Sequence, residues 1–371
     1  FSYFPAISYI SYGIQLLPQY VMRKILLLGS IVVTAIAQLY GQNTSAEFFK
    51  DTNNITIKCL NCQPGDTGRV DTILYLAVDR SMLENLITEE ADLSTVCTSL
   101  IKDMSGLFMG NFGYGVSIQS WDVSNVINMS EMFNKSLMFN SDISAWDVGN
   151  VTDMSGMFRE ATFFNIDISS WNVDNVTDMS CMFKDALSFN RDISSWNVGN
   201  VMDMSEMFCG AGYFNQMIGN WDVSKVTNMH GMFSEVSSFN QDISSWNVSN
   251  VTDMGSMFYE ARSFNQEIGI WDISSVADMS SMFCYAISFD ADIGSWDISN
   301  VQDISNMFCM AEVFNQPIGS WDISNKTDLS GLFSGAAAFN QDIGSWDVSN
   351  ATDMGFMFHS ASSFNQDISS W

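Results

Sequence analysis

Apolar residues return along most of the chain with a period of 25 residues. Tryptophan marks this period, and we number each unit from its tryptophan as position 0. Phenylalanine occupies position 12 from Phe108 to Phe358, and isoleucine occupies position 22 from Ile118 to Ile368. All eleven tryptophans of the sequence lie on the period: Trp121, Trp146, Trp171, Trp196, Trp221, Trp246, Trp271, Trp296, Trp321, Trp346 and Trp371. A fixed period of this length is typical of stacked repeats rather than of several ordinary domains.

Two shorter patterns lie within each unit, as in the unit that begins at Trp246. Ile243, Trp246 and Val248 alternate with small polar residues, which predicts a short strand near residues 245–248. Apolar residues then follow at positions 8, 11, 12 and 15, which is the spacing of one face of a helix. This spacing predicts a short helix with Thr252 as its N-cap and Asp253 at the positive end of its dipole.

One such unit cannot bury its apolar face alone, so the units must stack. The sequence therefore predicts an α/β solenoid over residues 96–371, with about eleven 25-residue units. We expect a leucine-rich-repeat-like, right-handed stack of strand-turn-helix units, with a parallel sheet on one face and short helices on the other. The tryptophans form a core column, and the methionines fill the same core because they share a helical phase with phenylalanine and alanine.

The N-terminal part predicts export. Met22-Arg23-Lys24 precedes an apolar run that ends in an Ala-x-Ala site, which is typical of a secretory signal peptide over residues 22–41. Residues 1–21 are interpreted as non-native or untranslated upstream sequence, and residues 42–95 as an N-terminal lead-in and cap. We therefore expect a secreted or cell-surface protein without membrane insertion after cleavage. The last unit stops in mid-repeat, which predicts truncation at the C-terminus.

The strongly acidic charge of the chain limits which classes of partner it can bind. The chain has 42 Asp and Glu against 14 Lys and Arg, for a formal net charge of -28, and phosphate binding needs cations that are scarce here. Nucleic acid is therefore excluded as an expected partner. Aspartate recurs at position 7 and alternates with asparagine at position 1, so like charges should form columns. The position-1 column is a candidate binding face: Asp122, Asp147, Asp222, Asp272, Asp297, Asp322 and Asp347. Calcium bridging between neighbouring units is the alternative to a plainly solvated acidic surface.

Seven cysteines are compatible with disulfides in an exported protein. We predict a structural disulfide between Cys59 and Cys97. Zinc at the Cys59-x-x-Cys62 pair is the alternative, but no second pair of ligands completes a four-ligand set. Cys284 and Cys309 share position 13 of consecutive units and form either a disulfide or a pair of free thiols.

The sequence predicts a protein without catalytic activity and without a cofactor. Its two histidines, His230 and His359, lie in units five repeats apart. No Ser-His-Asp or Cys-His constellation can form around them, and no glycine-rich phosphate loop is present. Carboxylates recur with the same neighbours in every unit, so none marks a single asymmetric pocket.

The unit from Trp246 to Phe258, Trp-Asn-Val-Ser-Asn-Val-Thr-Asp-Met-Gly-Ser-Met-Phe, and the segment Phe-Asn-Gln-Asp-Ile-Ser-Ser-Trp at residues 364–371 resemble the BspA-type leucine-rich-repeat surface proteins and mycoplasma-type surface lipoprotein repeats. Residues 65–99 also look like the lead-in of bacterial members, which we interpret as a β-rich stretch followed by a capping helix near residues 81–88. The resemblance implies a surface-exposed or secreted bacterial protein that binds host or extracellular-matrix proteins, other cells or polymers, and we expect extracellular proteins or glycans as partners. It carries over no ligand-contacting residues.

Two functions remain open at this point. An adhesion or binding scaffold is favoured by variation at positions 13, 14, 16 and 17, as at Arg159, Tyr213, Tyr259, Arg262 and His359. A structural spacer that displays a missing C-terminal domain is favoured by the monotony of the rest of the surface. We expect the binding scaffold.

Overall fold

The computed structural model describes residues 45–110 and 116–371, so the predicted signal peptide and upstream segment lie outside the described residues. The N-terminal cap contains five short strands and one helix. They are β1 (Glu47–Lys50), β2 (Ile57–Leu60), β3 (Thr67–Val70), β4 (Ile73–Ala77), α1 (Arg80–Thr88) and β5 (Val96–Cys97), with a 3-10 helix at Leu93–Thr95 between α1 and β5. Strands β1 and β2 pair antiparallel, as do β3 and β4, whereas β5 pairs parallel to β4.

Helix α1 closes one end of the repeat core. It begins where the Asp79 side chain accepts a hydrogen bond from the Met82 N–H at 2.9 Å, which satisfies one of the free amides of its first turn. Leu83 and Leu86 of α1 are buried in a core that runs without interruption from Leu76 to Met357. The helix lies where the sequence predicts a capping helix, near residues 81–88.

The repeats consist of tight turns. Within residues 116–371 the structure contains no α-helix and no extended strand, which differs from the strand-turn-helix unit predicted above. In the coil that begins at Trp246, hydrogen bonds of the i to i+3 type close successive turns. The Met257 N–H donates to the Met254 carbonyl at 3.1 Å, the Tyr259 N–H to Ser256 at 3.0 Å, and the Ala261 N–H to Phe258 at 3.1 Å.

The remaining amides of this segment bond to the next coil. The N–H groups at positions 8, 10, 12 and 14 donate to carbonyls at positions 7, 9, 11 and 13 of the following coil. For example, Ser256 N–H donates to Ser280 O at 2.8 Å, and Phe258 N–H donates to Met282 O at 2.9 Å. An α-helix would bond the amides after its first turn internally, to carbonyls four residues earlier. Stacking therefore replaces helical hydrogen bonds with bonds between coils, and each coil is tied to its neighbour through the backbone.

Left-handed backbone conformations explain why the helical spacing misleads. Ser256 at position 10 has φ 55° and Glu260 at position 14 has φ 54°, and the same two positions are positive in other coils. A right-handed helix cannot pass through such residues. Thr252 and Asp253 consequently do not cap a helix. The Thr252 hydroxyl donates to the Thr227 carbonyl of the preceding coil at 3.0 Å, and Asp253 Oδ1 accepts from the Gly255 N–H at 2.8 Å.

Parallel pairing between coils is found at position 7 and not at the tryptophan. Single parallel bridges join position 7 of successive coils, from Asp103↔Asn128 through Asp278↔Asp303. The strand predicted near residues 245–248 is instead a three-residue segment between two turns. Each turn interrupts the extended backbone after a few residues, so the coils pair over one residue at a time.

One coil breaks this pattern. Among the described residues the bridges skip from Asp278↔Asp303 to Asp328↔Asp353, so Asp303 and Asp328 are not paired. Lys326 stands between them at position 5, where neighbouring coils carry Val251, Val276 and Val301. It is 1% exposed, and its Nζ donates to the carbonyls of Ile298 at 2.9 Å and Val301 at 2.6 Å. A lysine thus occupies a place in the apolar core.

Aromatic columns fill the core. The ten tryptophans from Trp121 to Trp346 are between 0% and 4% exposed. The Nε1–H of each donates to the backbone carbonyl 28 residues earlier in the chain, as from Trp246 to Ile218 at 3.1 Å. Phe258 stacks on Phe283 of the next coil with ring centroids 5.7 Å apart, and on Phe264 of its own coil at 3.9 Å. The predicted helical face at positions 8, 11, 12 and 15 is also fully buried in this coil.

We expect the Ser281→Gly substitution to stabilise the protein by about 0.5–1 kcal/mol. Ser281 occupies position 10 with φ 56°, a conformation that glycine adopts without the Cβ penalty and that Gly231 adopts at the same position with φ 59°. Thermal or urea unfolding measures the change. Ser280→Gly is the matched control, because Ser280 has no positive φ and glycine there should lower stability by about 0.5–1 kcal/mol. Equal effects of the two substitutions would contradict the backbone geometry.

Candidate functional site

The aspartates of the predicted binding face cap turns. Asp272 Oδ1 accepts from the Ser274 N–H at 3.1 Å, and Asp297 and Asp347 make the same contact with the serine two residues later at 3.0 Å. The hydroxyl and backbone N–H of these serines hold the pKa of each of these carboxyls below its usual range. Ionised aspartate therefore has a structural role in this column, although the side chains are exposed.

The prediction that Asp122 belongs to the exposed acidic face is wrong. It is 3% exposed and accepts hydrogen bonds from the hydroxyls of Ser99 and Ser124, with Ser124 at 2.6 Å. The cap covers this coil, so Asp122 cannot belong to an exposed binding face. The other members of the column remain exposed.

A second surface carries the variation between coils. We define the variable edge as positions 13, 14, 16 and 17 of the coils. Four consecutive coils expose one large apolar residue each on this edge. They are Leu137 (41% exposed), Phe163 (52%), Leu187 (46%) and Tyr213 (69%). The Phe163 N–H donates to the Leu137 carbonyl at 3.1 Å, so neighbouring members lie side by side. Large apolar and aromatic side chains exposed in a row are typical of interaction surfaces.

A cleft of about 320 Å³ lies on the variable edge and extends to positions 9 and 10 beside it. Its lining residues come from four consecutive coils: Lys184, Asp185, Glu206, Cys209, His230, Gly231, Ser234, Glu235, Ser256 and Tyr259. The cleft arises from short side chains. Lys184 at position 13 reaches Glu206 at position 10 of the next coil, whereas the two following coils place Cys209 beside Gly231 and Ser234 beside Ser256 at the equivalent positions.

An ion pair forms one wall of the cleft. Lys184 Nζ lies 2.6 Å from Glu206 Oε2, with side chains 19% and 33% exposed. Burial opposes ionisation of Glu206, but hydrogen bonds from Lys184 and from the Cys181 thiol outweigh it and lower its pKa. Asp185 has no such donor, and burial raises its pKa. On the other side, His230 Nδ1 lies 3.3 Å from Asp253 Oδ1.

The thiols beside the cleft are poor nucleophiles. Burial raises the pKa of Cys209 to about 11, and burial together with the hydrogen bond to Glu206 raises that of Cys181 to about 11. Both are therefore protonated at neutral pH, whereas the thiolate is the reactive form. The cleft can offer carboxylates, an ammonium, an imidazole, hydroxyls and a tyrosine ring to a ligand.

The two cysteine pairs for which the sequence predicts or allows a disulfide, Cys59 with Cys97 and Cys284 with Cys309, lie in contact. All seven cysteines are thiols in this structure. Cys97 contacts Cys59 by a hydrogen bond that raises its pKa, and a hydrogen bond from Cys284 lowers the pKa of Cys309 to about 7. Both pairs are close enough for these contacts, and the disulfides remain predictions. Among the described residues no group of three or more His, Cys, Asp or Glu is arranged to hold a metal ion, and neither the zinc nor the calcium alternative gains a site there.

No single pocket is predicted by the repeat pattern, and the cleft lies at residues that depart from the repeat consensus. Ser234 and Gly231 are ordinary residues in isolation, and the cleft depends on which residues lie one coil before and after them. Departures from the repeat at positions 10, 13 and 14 of consecutive units are the sequence signal of the cleft, and they mark it only once these positions are known to face each other across coils. His359 lies outside the cleft, and His230 lines it.

The fold and its surface describe a repeat protein built from stacked 25-residue coils. Residues 80–196, 186–295 and 282–371 match the model of a family described as Mycoplasma protein of unknown function, DUF285. These segments cover most of the chain, and the chain belongs to this family. No curated protein and no solved structure matches the sequence. No helix among the described residues is both long enough and apolar enough to cross a membrane.

Proposed function

We propose that this protein is an exported surface protein whose coils form a non-catalytic binding scaffold of the adhesion type. The scaffold would be an elongated solenoid, and its predicted leucine-rich-repeat likeness and right-handed sense belong to the same proposal. Its partners would be extracellular proteins or glycans. The variable edge carries the proposal, because it joins an exposed apolar row to a cleft with mixed polar groups.

The contrast between the two exposed surfaces supports this assignment. In the position-1 column Asp272 and Asp322 each accept a hydrogen bond from the serine two residues later, so one carboxylate oxygen of each is already used within its own turn. On the variable edge, by contrast, the side chains of Tyr213 and Phe163 are 69% and 52% exposed, so most of their surface is available to a partner. Aromatic residues at protein surfaces contribute strongly to binding. Interaction energy is therefore expected at the variable edge rather than at the acidic face.

The protonated thiols support the non-catalytic part of the proposal. A nucleophile in the cleft would need an activated thiolate or a hydroxyl paired with a base. Neither Cys181 nor Cys209 has a lowered pKa, and the imidazole of His230 contacts Asp253 rather than a serine or cysteine. The cleft is therefore suited to holding a ligand.

Surface plasmon resonance against a panel of matrix proteins and glycans tests the proposal. The immobilised repeats should bind at least one member with saturable kinetics, and chelation of calcium should leave binding unchanged. Failure to bind any member would favour the spacer alternative, in which the coils supply only length.

A further inference from the structure

We propose that the cleft on the variable edge binds the guanidinium group of an arginine side chain presented by a partner protein. This inference rests on the proposed function and names the chemistry that one part of the variable edge would recognise. It begins with the ion pair that the protein itself forms there.

The protein already places a cation in this groove one coil earlier. The Lys184 side chain extends from position 13 of its coil towards position 10 of the next coil, where its ammonium bonds to Glu206 at 2.6 Å. One and two coils further, Cys209 with Gly231 and Ser234 with Ser256 are too short to fill the same groove. A cation from outside can therefore enter a groove whose neighbouring segment holds an internal one.

Two carboxylates are available to such a cation. Asp185 and Glu235 occupy position 14 on either side of Gly210, and the Asp185 side chain lies over that glycine. Neither carboxylate takes part in a salt bridge or a side-chain hydrogen bond within the described chain. Since successive coils are about 4.8 Å apart, the backbone at these two residues is separated by about 10 Å.

This separation favours guanidinium over ammonium. Guanidinium is planar and carries five N–H donors along its edges, so it can bond to carboxylates on both sides at once. A lysine ammonium is compact and would reach one of them. Tyr259 lines the same cleft, and an aromatic ring attracts a planar cation. The net charge of -28 adds a long-range attraction for basic partners.

Saturation-transfer NMR and calorimetry with N-acetyl-arginine amide test the inference. Its neutral counterpart N-acetyl-citrulline amide has nearly the same shape and should bind at least tenfold more weakly, as should N-acetyl-lysine amide. The Asp185→Asn/Glu235→Gln variant should lose at least tenfold in affinity for the arginine compound. Glu267→Gln, which removes an exposed carboxylate at position 21 outside the cleft, should bind like the wild type.

A second variant keeps the test valid if the first does not fold. Ser234→Lys/Ser256→Glu copies the Lys184–Glu206 pair at the equivalent positions, so it should fold and fill the cleft with an internal ion pair. It should also abolish arginine binding. Equal binding of arginine and citrulline compounds, unchanged affinity in this variant, or no binding by the wild type would overturn the inference. If one of these outcomes occurs while the wild type still binds the matrix panel, the arginine site fails and the proposed function stands.

Discussion

Replacing Trp246 with alanine should destabilise the protein by about 3–5 kcal/mol. The indole is 3% exposed, stacks on Phe233 with centroids 6.1 Å apart, and donates its Nε1–H to the Ile218 carbonyl at 3.1 Å. Alanine would leave a cavity between coils and would remove one of the two hydrogen bonds that the Ile218 carbonyl accepts, the other coming from the Trp221 N–H. Denaturant unfolding monitored by far-ultraviolet circular dichroism measures the loss.

Trp246→Phe separates the two contributions. Phenylalanine keeps an aromatic ring in the column but cannot donate to the Ile218 carbonyl, so a smaller cost of about 1–2 kcal/mol is expected. Equal costs for the alanine and phenylalanine variants would mean that the hydrogen bond, and not the packed ring, holds the coils together. A cost below about 1 kcal/mol for alanine would contradict the buried column itself.

Replacing Lys326 with valine should stabilise the protein by about 2–3 kcal/mol at neutral pH. Burial lowers the pKa of Lys326 to about 8 from 10.5, because the charged ammonium loses hydration that Asp322 and Asp297 restore only in part. Valine is the residue that the preceding coils carry at this position. The variant should also restore the missing pairing of Asp303 with Asp328, which hydrogen exchange of the local amides can detect.

The stabilisation by Lys326→Val should depend on pH in one direction. Between pH 8 and pH 10.5 the unfolded chain holds a proton on Lys326 that the folded protein has released, so the wild type gains stability as pH rises. The advantage of Lys326→Val should therefore be largest below pH 8 and shrink by about 3 kcal/mol towards pH 10.5. Comparing the two proteins at each pH cancels titrations elsewhere. A pH-independent difference would show that Lys326 has the same pKa in the folded and unfolded states, which would contradict the lowered pKa.

The burial pattern followed from the sequence more fully than the backbone did. Tryptophan, phenylalanine and isoleucine at fixed positions indicate which side chains point inward, whatever the backbone between them. Met254, Met257, Phe258 and Ala261 are all buried, yet they lie on successive turns and not on a helix. Turns that close at i+3 bring these positions to one side, as a helix does. The spacing alone could not separate the two structures.

Backbone conformation at positions 10 and 14 was the missing information. Glycine at Gly231 and Gly335 hints at positive φ, but Glu260 and Tyr285 adopt it without glycine because bonds to the next coil hold them there. Contacts between coils therefore override local preference. For the same reason the cleft required the structure, since its walls come from different coils. The helix near residues 81–88 was predicted from the resemblance of the lead-in to the bacterial surface proteins, and in the structure Asp79 caps its first turn.

The most direct test of the variable edge compares the binding of two four-residue variants and the wild type to decellularised matrix. The edge variant combines Leu137→Ser, Phe163→Ser, Leu187→Ser and Tyr213→Ser. The face variant combines Asp272→Asn, Asp297→Asn, Asp322→Asn and Asp347→Asn. All substituted side chains are exposed, so both variants should fold, with circular dichroism as the check. We predict at least tenfold weaker binding for the edge variant and wild-type binding for the face variant. Loss confined to the face variant, or no saturable binding by the wild type, would contradict the assignment of binding to the variable edge.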